Sequence, residues 1–249
     1  MKLEQKRILV TGGTAGIGRA LTQVLVERGA RVFICGRDSG RLEATLGSLP
    51  GVGGCVCDVA RAEQLPALME QAVEQLGGLD LLVNNAGIQL SWDLAEGAAA
   101  GPEALARVSL EVATNLVAPI QLTFLALPHL RRGAEPAIVN VTSVLAAAPK
   151  PSSPVYSATK AALRSFGSSM RRQLAGSGVR VVEVVPPLVD TAMTRGRAGM
   201  KTISPELMAS AIVDGLRSDK TRILVGKARV AAILQRWAPG LLEDAMARG

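Results

Sequence analysis

The segment PVYSATKAALRSF contains the only tyrosine among the 249 residues, Tyr156, and Lys160 follows it by four positions. On a helix, positions i and i+4 lie on one face about one turn apart, so a phenol and an ammonium at these positions can share a site. A free tyrosine is a weak acid with a pKa of about 10, and a nearby positive charge lowers that pKa. The pair is therefore a candidate proton donor and acceptor. The alternative is a half-buried phenol in the core.

The elements that must position this pair are short apolar runs alternating with longer helical patterns. Hydrophobic residues make up 48% of the chain and aromatic residues 2%, so aliphatic side chains must form the core. The runs typical of buried strands are 7–11, 31–35, 53–59, 79–84, 137–143, 179–185 and 222–226. This alternation predicts one α/β domain over residues 1–249, a doubly wound (Rossmann) fold with a mostly parallel seven-stranded sheet and helices on both faces.

The predicted fold also places the ligand site, because ligands of doubly wound sheets bind beyond the carboxyl ends of the strands. The long irregular segments 88–101 and 186–204 are expected at that edge. Proline suits the first turn of a helix, where its missing N–H would be unpaired in any case. We therefore expect the helix that carries Tyr156 to begin by Pro154 and to run to about Leu174.

A glycine-rich loop, TGGTAGIG, follows the first predicted strand and precedes a helix. Gly12, Gly16 and Gly18 allow the backbone to turn sharply and to approach a pyrophosphate at the helix N-terminus. The spacing is Gly-x3-Gly-x-Gly, which differs from the Gly-x-Gly-x2-Gly of the standard dinucleotide fingerprint. The loop predicts a dinucleotide site, with a simple turn as the alternative.

This loop resembles that of the classical short-chain dehydrogenase/reductase (SDR) family, and the later motifs occur in that family's order. NNAG at 84–87 follows the fourth strand, Ser143 precedes Tyr156 by thirteen residues, and Tyr-x-x-x-Lys follows. The resemblance covers essentially the whole chain. The segments PPLVDT and VGKAR resemble a poorly characterised bacterial branch of the family, the DltE type.

The resemblance implies an oxidoreductase that moves a hydride between a nicotinamide and a carbonyl or secondary alcohol. In that role Tyr156 exchanges a proton with the substrate oxygen, Lys160 lowers the tyrosine pKa and holds the nicotinamide ribose, and Ser143 hydrogen-bonds the same oxygen. The resemblance implies a fourth catalytic residue, Asn115, whose main chain binds a relay water in relatives. Pro119 cannot donate to the carbonyl of residue 115, which predicts a free acceptor there. The alternative is an ordinary proline kink.

The end of the second strand bears on the choice of cofactor. In this fold an acidic residue there binds the ribose 2′-hydroxyl of NAD, whereas an arginine accommodates the 2′-phosphate of NADP. Gly36 takes the acidic position and Arg37 follows, which favours NADP(H). NAD(H) stays an alternative, because Asp38 becomes the ribose ligand after a shift of two residues and Arg37 is then a solvated surface charge. Ala15 also stands where many NADP-using relatives carry a basic residue.

Further cofactor contacts are implied along the chain by the resemblance. Asp58 and Val59 match positions that contact the adenine, with a helix N-cap as the alternative for Asp58. Residues 85–87 line the cofactor in relatives, with a plain turn as the alternative. After the sixth strand the family usually has Pro-Gly, whereas this chain has Pro186 and Pro187, which leaves the placement of the next segment open. The implied cofactor residues are Gly12, Thr14, Gly16, Ile17, Gly18, Arg37, Asp58, Val59, Asn85, Ala86, Gly87, Tyr156, Lys160, Pro186, Val189 and Thr191.

The substrate pocket is expected to be lined by three loop segments, 88–96, 145–151 and 188–203. Trp92, Met193 and Met200 lie in these segments and suggest an apolar wall, although each is equally explained by loop packing.

Composition argues against several other function classes. Three cysteines and one histidine are too few for a zinc site or a disulfide framework, so we expect no metal and a cytoplasmic protein. The net charge of +7 is spread along the chain without a dense basic block, which argues against nucleic acid. We expect neither a signal peptide nor a membrane span. The basic amphipathic segment 227–248 is expected to dock as a helix. The expected partners are a small carbonyl or alcohol substrate and, by resemblance, further copies of the chain in a homodimer or homotetramer.

Two rival functions use the same fold. A nucleotide-sensing or scaffold protein needs no proton relay, so the four candidate catalytic residues argue against it. A sugar-nucleotide epimerase or dehydratase of the longer relatives needs an added substrate domain, for which 249 residues leave little room.

Overall fold

The computed structural model describes residues 1–94, 101–194 and 202–247. Seven strands form one sheet, and in chain order they are β1 Arg7–Thr11, β2 Arg31–Gly36, β3 Gly53–Val56, β4 Leu81–Asn84, β5 Ala137–Val141, β6 Arg180–Val185 and β7 Arg222–Leu224. Their spatial order is β3-β2-β1-β4-β5-β6-β7, and every neighbouring pair is parallel. The predicted doubly wound parallel sheet is confirmed.

Helices connect the strands on both faces of the sheet. The described residues form α1 Gly16–Glu27, α2 Ser39–Ser48, α3 Leu65–Leu76, α4 Pro102–Val112, α5 Ala118–Leu130, α6 Pro154–Gln173, α7 Pro205–Arg217, α8 Lys227–Trp237 and α9 Pro239–Ala247. A π-helical turn, Ala113–Val117, joins α4 to α5. The basic C-terminal segment forms two helices, because the residue before Pro239 is disfavoured in the helical conformation.

Two apolar cores lie on opposite faces of the sheet. Ile8 and Val10 of β1 belong to one core with α1 and α7, whereas Leu9 between them belongs to the other with α3, α5 and α6. This division follows from the strand geometry, since successive side chains point to opposite faces. Each fully buried Leu or Ile stabilises the fold by about 1.5–3 kcal/mol relative to an exposed one. The cores fix the sheet rigidly, so the residues at its ends hold defined positions.

Among the described residues, one helical stretch, Pro102–Leu130, has the length and apolar composition to cross a membrane, with 29 residues and a mean hydropathy of 1.5. The sequence predicts no membrane span, and this stretch qualifies for one by length and composition only. In the fold, 44% of its most apolar window is buried inside the protein. Leu122, Ala126 and Leu130 pack in the core beneath the sheet. The stretch therefore contributes a core helix to this domain.

The amino edge of the sheet carries a closely paired ionic network. The Asp80 carboxylate, 3% exposed as a residue, accepts hydrogen bonds from Arg7 Nε at 2.9 Å and Arg7 Nη2 at 2.8 Å. It also accepts from the backbone amides of Arg7 at 3.0 Å and Ala134 at 2.8 Å. Burial acts to raise the pKa of Asp80, but these hydrogen bonds outweigh it and lower the pKa to about 2. The network ties the first residue of β1 to the segments that immediately precede β4 and β5.

Candidate active site

A cavity of about 370 Å³ opens at the carboxyl edge of the sheet, where the sequence predicts the ligand site. Residues that follow β1, β2, β3, β4 and β6 reach it together with the start of α6. The predicted site residues that line it are Gly12, Thr14, Gly16, Ile17, Arg37, Asp58, Val59, Asn85, Ala86, Gly87, Tyr156, Lys160, Pro186 and Thr191. The fold thus brings most of the predicted cofactor residues to one cavity.

Four predicted site residues lie outside the lining of this cavity, and their local contacts explain their placement. Gly18 packs under the glycine loop, since a Cβ there would lie 2.2 Å from the carbonyl oxygen of Gly12. Val189 is buried and forms a β-bridge with Ile203. Ser143, after β5, accepts a hydrogen bond from the Leu145 amide at 3.1 Å. The fourth, an asparagine on the π-helical turn, lies behind the cavity wall and is described below.

The glycine loop presents the N-terminus of α1 to the cavity. Gly12 has a positive φ of 65° and would place a Cβ 3.0 Å from Ala86 Cα, so the close approach of these two loops requires glycine. Ala15 at the N-cap of α1 provides no side-chain cap, and the first turn holds no acidic residue. The amides of that first turn are thereby left to an anion, which the helix dipole also favours. These features fit the pyrophosphate of a dinucleotide.

The NNAG segment holds the glycine loop in place and does more than form a turn. Asn85 Nδ2 donates to the carbonyl of Thr11 at 2.9 Å and to that of Gly12 at 3.2 Å. Thr11 Oγ1 accepts from the amides of Asn85 at 3.0 Å and Ala86 at 3.1 Å. A Cβ on Gly87 would lie 3.4 Å from Lys160 Nζ. The segment therefore joins the glycine loop to the neighbourhood of the lysine.

Two guanidinium groups reach the cavity at the end of β2. Arg37 is exposed and lines the cavity, as does Arg41, which the sequence reasoning missed. Asp38 caps α2 by accepting from the Arg41 amide at 2.9 Å, and its second oxygen lies 3.7 Å from Arg41 Nε. The carboxylate is therefore occupied by the helix that follows it. Arg41 could have been recognised as the basic residue one turn after that capping aspartate.

Asp58 is not the N-cap of the helix that follows, because Arg61 precedes the 3₁₀ turn Ala62–Gln64 and Gln64 precedes α3. Its Oδ1 accepts from the Ala60 amide at 3.1 Å, which is a local turn contact, and its own amide donates to Gln64 Oε1 at 2.9 Å. Asp58 and Val59 also line the cavity. The turn fixes the carboxylate at the wall where the adenine position was predicted.

Tyr156 and Lys160 lie on the first turns of α6, which begins at Pro154 as predicted. Lys160 is 3% exposed and Tyr156 is 8% exposed, and Nζ lies 5.6 Å from the centroid of the phenol ring. Nζ donates to the carbonyl of Val141 at 2.9 Å, and no ion pair of this lysine occurs within the described ranges. Burial lowers the pKa of Lys160 to about 8. A buried ammonium therefore stands beside the only phenol of the chain.

Asn115 lies on the π-helical turn and is completely buried. Its Oδ1 accepts from the Ile88 amide at 2.9 Å, and its Nδ2 donates to the Ile88 carbonyl at 2.8 Å and to Thr159 Oγ1 at 3.3 Å. Pro119 predicts a free Asn115 carbonyl, with a proline kink as the alternative, and the structure has a π-helical turn there, a feature frequent at functional sites. The side chain of Asn115 has a role that the sequence did not predict, since it fixes residue 88 against the start of α6.

Glu111, one turn before Asn115, supports the segment that follows Ile88. This residue was not predicted from the sequence. It is completely buried, and it accepts from the Leu90 amide at 3.0 Å and from Trp92 Nε1 at 3.2 Å. Arg107 lies over the Trp92 ring at 4.8 Å. Trp92 is therefore loop packing and not a cavity wall. The sequence could have indicated this role, because Glu111 lies one helical turn before Asn115.

The remaining predicted pocket segments are partly described. Met193 lines the cavity and is 42% exposed. Met200, and the parts of the predicted segments at 95–96 and 195–201, lie outside the described residues. The segment after Ser143 is covered by the C-terminal helices, since Ala148 packs against Ala231 of α8 and Leu242 of α9. The predicted docking of the C-terminal segment is confirmed.

Comparison with known proteins gives consistent likenesses over most of the chain. Residues 6–201 match the family described as short chain dehydrogenase. The chain is 42% identical over 228 residues to a Bacillus subtilis (strain 168) protein named uncharacterized oxidoreductase DltE, covering 90% of this chain and 89% of that protein. It is 31% identical over 237 residues to ketoacyl reductase HetN of Nostoc sp., covering 90% and 80%. The crystal structure of a short chain dehydrogenase from Burkholderia cenocepacia J2315 in complex with NADP aligns with a TM-score of 0.86 at 29% identity, covering 99% of each chain.

Proposed function

Because the chain belongs to the short chain dehydrogenase family and is an NAD(P)-dependent oxidoreductase, we propose that it prefers NADP(H) and interconverts a carbonyl and a secondary alcohol. The observation that carries this proposal is the buried ammonium of Lys160 beside Tyr156, at the wall of a cavity that a dinucleotide fits. A protein that only senses or stores a nucleotide has no use for a buried ammonium beside a phenol. The geometry therefore favours the enzyme over the scaffold.

In the proposed reaction the residues of the chain hold and move one proton. The nicotinamide, when bound, supplies or accepts the hydride. In the reducing direction, Tyr156 Oη donates its proton to the substrate oxygen, and the positive charge of Lys160 stabilises the phenolate that is left. In the oxidising direction the same phenolate takes the proton from the alcohol.

Ser143 directly follows Thr142, which lines the cavity, and the family resemblance supports a role for Ser143 in orienting the substrate oxygen. Its Oγ uses a lone pair to accept from the Leu145 amide, and its hydroxyl proton is left to donate to the substrate. Asn115 and Glu111 act through the backbone of 88–92, since they hold that segment and do not line the cavity.

The preference for NADP(H) is supported by the charges at the end of β2. Arg37 and Arg41 both line the cavity, and a guanidinium binds a phosphate through parallel charge-assisted hydrogen bonds. Asp38, the rival ligand for an NAD ribose, also lines the cavity, but its Oδ1 accepts from the Arg41 amide at the N-cap of α2. The structural neighbour from Burkholderia cenocepacia was solved with NADP, which agrees with this choice.

We also propose that the protein is cytoplasmic and forms a homodimer or homotetramer through α4 and α5. The described cysteines are all free thiols, in keeping with a reducing compartment. Leu105 of α4 is 70% exposed and Phe124 of α5 is 64% exposed, which supplies apolar surface for contact between copies. Light scattering coupled to gel filtration tests the assembly, and a monomer at micromolar concentration would contradict it.

The proposed activity is tested by following NADPH oxidation by absorbance with a panel of aldehydes, ketones, quinones and a 3-ketoacyl thioester, and with NADH in a parallel series. The thioester is included because one relative is a ketoacyl reductase. We expect turnover of at least one carbonyl, with kcat/KM higher for NADPH than for NADH. Failure of both cofactors to bind, measured separately by nucleotide fluorescence, would contradict the proposed site.

A further inference from the structure

A half-buried arginine, Arg164, lies one helical turn beyond Lys160 on α6. Tyr156, Lys160 and Arg164 are spaced by four residues, so they follow one side of that helix. Lys160 reaches the carbonyl of Val141, the last residue of β5, at 2.9 Å. Arg164 reaches the neighbouring strand β6 and the C-terminal helix α8, and both contacts lead to the segment 143–148 beyond β5.

The first contact of Arg164 is with a buried carboxylate on β6. Arg164 Nε lies 3.7 Å from Glu183 Oε1, and Arg222 Nε lies 2.9 Å from the second oxygen of this carboxylate. Glu183 Oε1 also accepts a hydrogen bond from Thr142 Oγ1 at 3.0 Å. Thr142 lines the cavity and directly precedes segment 143–148. Arg164 is therefore connected to the start of that segment through one carboxylate.

The second contact of Arg164 is with a glutamine on α8. Arg164 Nη1 donates to Gln235 Oε1 at 3.3 Å, and Gln235 Nε2 donates to the Ala147 carbonyl at 3.4 Å. The next residue, Ala148, is completely buried against α8 and α9. The glutamine and this apolar contact together locate the end of segment 143–148. Arg164 is thus connected to the segment at both of its ends.

The bonds inside segment 143–148 hold its shape but not its place. It contains the 3₁₀ turn Val144–Ala146, in which the amides of Leu145 and Ala146 each donate to Ser143 at 3.1 Å. The sheet fixes the backbone just before the turn, since the Thr142 amide donates to a β6 carbonyl at 2.8 Å. Beyond that point, the position of the turn relative to α6 depends on side-chain contacts. In the proposed reaction this position decides how Ser143 faces the substrate oxygen.

We propose that Arg164 is a positioning residue, which holds segment 143–148 against α6 and thereby sets Ser143 relative to Tyr156. The planar guanidinium suits this task, because it presents one nitrogen to the Glu183 carboxylate and another to the glutamine on α8. A lysine ammonium is a compact point charge and does not span both acceptors. The effect of Arg164 on the reaction rests on the proposed function, whereas its hold on the segment does not.

Loss of Arg164 should leave the fold intact. Glu183 keeps Arg222 as its ion partner at 2.9 Å, so no buried carboxylate is left without a counter-ion. Arg164→Met retains the apolar stem and removes both contacts, and Arg164→Lys retains the charge. Arg172, an exposed arginine two helical turns farther along α6, provides the matched control Arg172→Met.

The first measurement needs no substrate. Hydrogen exchange of the backbone amides is followed by mass spectrometry in the wild type and the three variants. We expect the amides of 143–148 to exchange about threefold to tenfold faster in Arg164→Met, the effect of losing one ordinary hydrogen bond. Arg164→Lys should give a smaller change, and Arg172→Met should match the wild type. Unchanged exchange in Arg164→Met overturns the proposal, and so does an increase that extends to β1, which would assign Arg164 to the fold.

The second measurement tests the consequence for the reaction, with a carbonyl substrate from the panel described above. Arg164→Met should lower kcat by about threefold to tenfold and leave the NADPH Kd within about twofold of the wild type. If Arg164 acts through Ser143, Arg164→Met should have little further effect in a Ser143→Ala background. Equal losses of kcat in the two backgrounds overturn the route through Ser143.

The outcomes separate this proposal from the proposed function. If the wild type turns over no carbonyl, the proposed function fails, while faster exchange confined to 143–148 in Arg164→Met still supports the hold on the segment. Faster exchange with an unchanged kcat overturns the positioning role. Faster exchange together with a loss of kcat that disappears in the Ser143→Ala background supports the whole proposal.

Discussion

The two edges of the sheet have opposite effects on a buried charged side chain. At the amino edge, Asp80 accepts hydrogen bonds from the Arg7 guanidinium and from two backbone amides, and its pKa falls to about 2. At the carboxyl edge, Lys160 has a backbone carbonyl as its hydrogen-bond acceptor, and burial lowers its pKa to about 8. The folded protein favours the charge of Asp80 and disfavours the charge of Lys160.

This difference indicates a division of tasks between the edges. A charge that is paired and hydrogen-bonded stabilises the fold, whereas a buried charge without a counter-ion lowers stability. A destabilising group is retained where it is needed for chemistry, and perturbed ionisable groups accordingly cluster at functional sites. The amino edge thus holds the strands together, and the carboxyl edge holds the proposed site of the reaction.

The largest expected effect comes from Lys160→Met, which keeps the apolar stem and removes the ammonium. We expect kcat/KM to fall by about 10²–10⁴-fold, the usual contribution of positioned acid–base catalysis. We also expect the free energy of unfolding at pH 7 to be unchanged or higher, because the buried charge is gone. Steady-state kinetics and urea unfolding of the same samples check both. A variant that is inactive and strongly destabilised would assign Lys160 to the fold.

The pH dependence of stability sharpens the same test. The folded-state pKa of Lys160, about 8, lies below the ordinary lysine value of 10.5, so the unfolded chain binds more protons between these values. The wild-type free energy of unfolding should therefore gain up to about 1.4 kcal/mol per pH unit from this group as pH rises through that window. Lys160→Met lacks this gain, so its advantage over the wild type should be largest below pH 8 and should shrink above it.

Asp80→Asn should give the opposite pattern. We expect a loss of about 2 kcal/mol in the free energy of unfolding, from the broken charge-assisted hydrogen bonds, with kcat/KM unchanged. Because the pKa of Asp80 is about 2 in the fold against an ordinary 3.8, the difference from wild type should be complete above pH 4 and should shrink as pH falls toward 2. The exposed ion-pair residue Asp219 provides the control, since Asp219→Asn should lose less than about 1 kcal/mol. A fall in kcat/KM with an unchanged free energy of unfolding would contradict the division of tasks between the two edges of the sheet.

Arg37→Ser tests the cofactor-binding part of the carboxyl edge, at the end of β2. We expect the Kd for NADPH to rise by about tenfold and the Kd for NADH to stay within about twofold, because only NADPH carries the 2′-phosphate. Fluorescence titration of both nucleotides measures this. Arg61→Ser is the matched control, an exposed arginine near β3 that does not line the cavity. Equal losses for both nucleotides would show that Arg37 does not read the phosphate.

Glu111→Gln should have the smallest effect. A glutamine offers one acceptor oxygen for the two donors that Glu111 now serves, so one of the contacts to Leu90 and Trp92 is lost. We expect KM for the carbonyl substrate to rise by about threefold to tenfold with kcat nearly unchanged. A shift in Trp92 emission, measured in a Trp237→Phe background, should accompany it. Glu103→Gln, exposed on the same helix, should change neither quantity.

The fold and the centre of the site were predictable because their signals are local. The glycine loop lies next to its own strand, and Tyr156 and Lys160 are one helical turn apart, so sequence spacing alone places them. Parallel strands then bring their carboxyl ends to one edge, which collects Arg37, Asp58 and the start of α6.

The parts that escaped prediction depend on contacts between distant segments. Glu111 gains its role from Leu90 and Trp92, which lie about twenty positions earlier in the chain. Helix α7 also lay outside the predictions, although Ser204 and Pro205 are a capping residue and a first-turn proline, and Ser204 Oγ accepts from the Leu207 amide.

The measurement that tests the account most directly is single-turnover hydride transfer from bound NADPH to a carbonyl substrate, in the wild type and in Tyr156→Phe. The substitution removes only the phenolic oxygen. We predict an NADPH Kd within about twofold of wild type and a transfer rate lower by at least about 100-fold. Equal transfer rates in the two proteins, at saturating cofactor and substrate, would show that Tyr156 does not supply the proton.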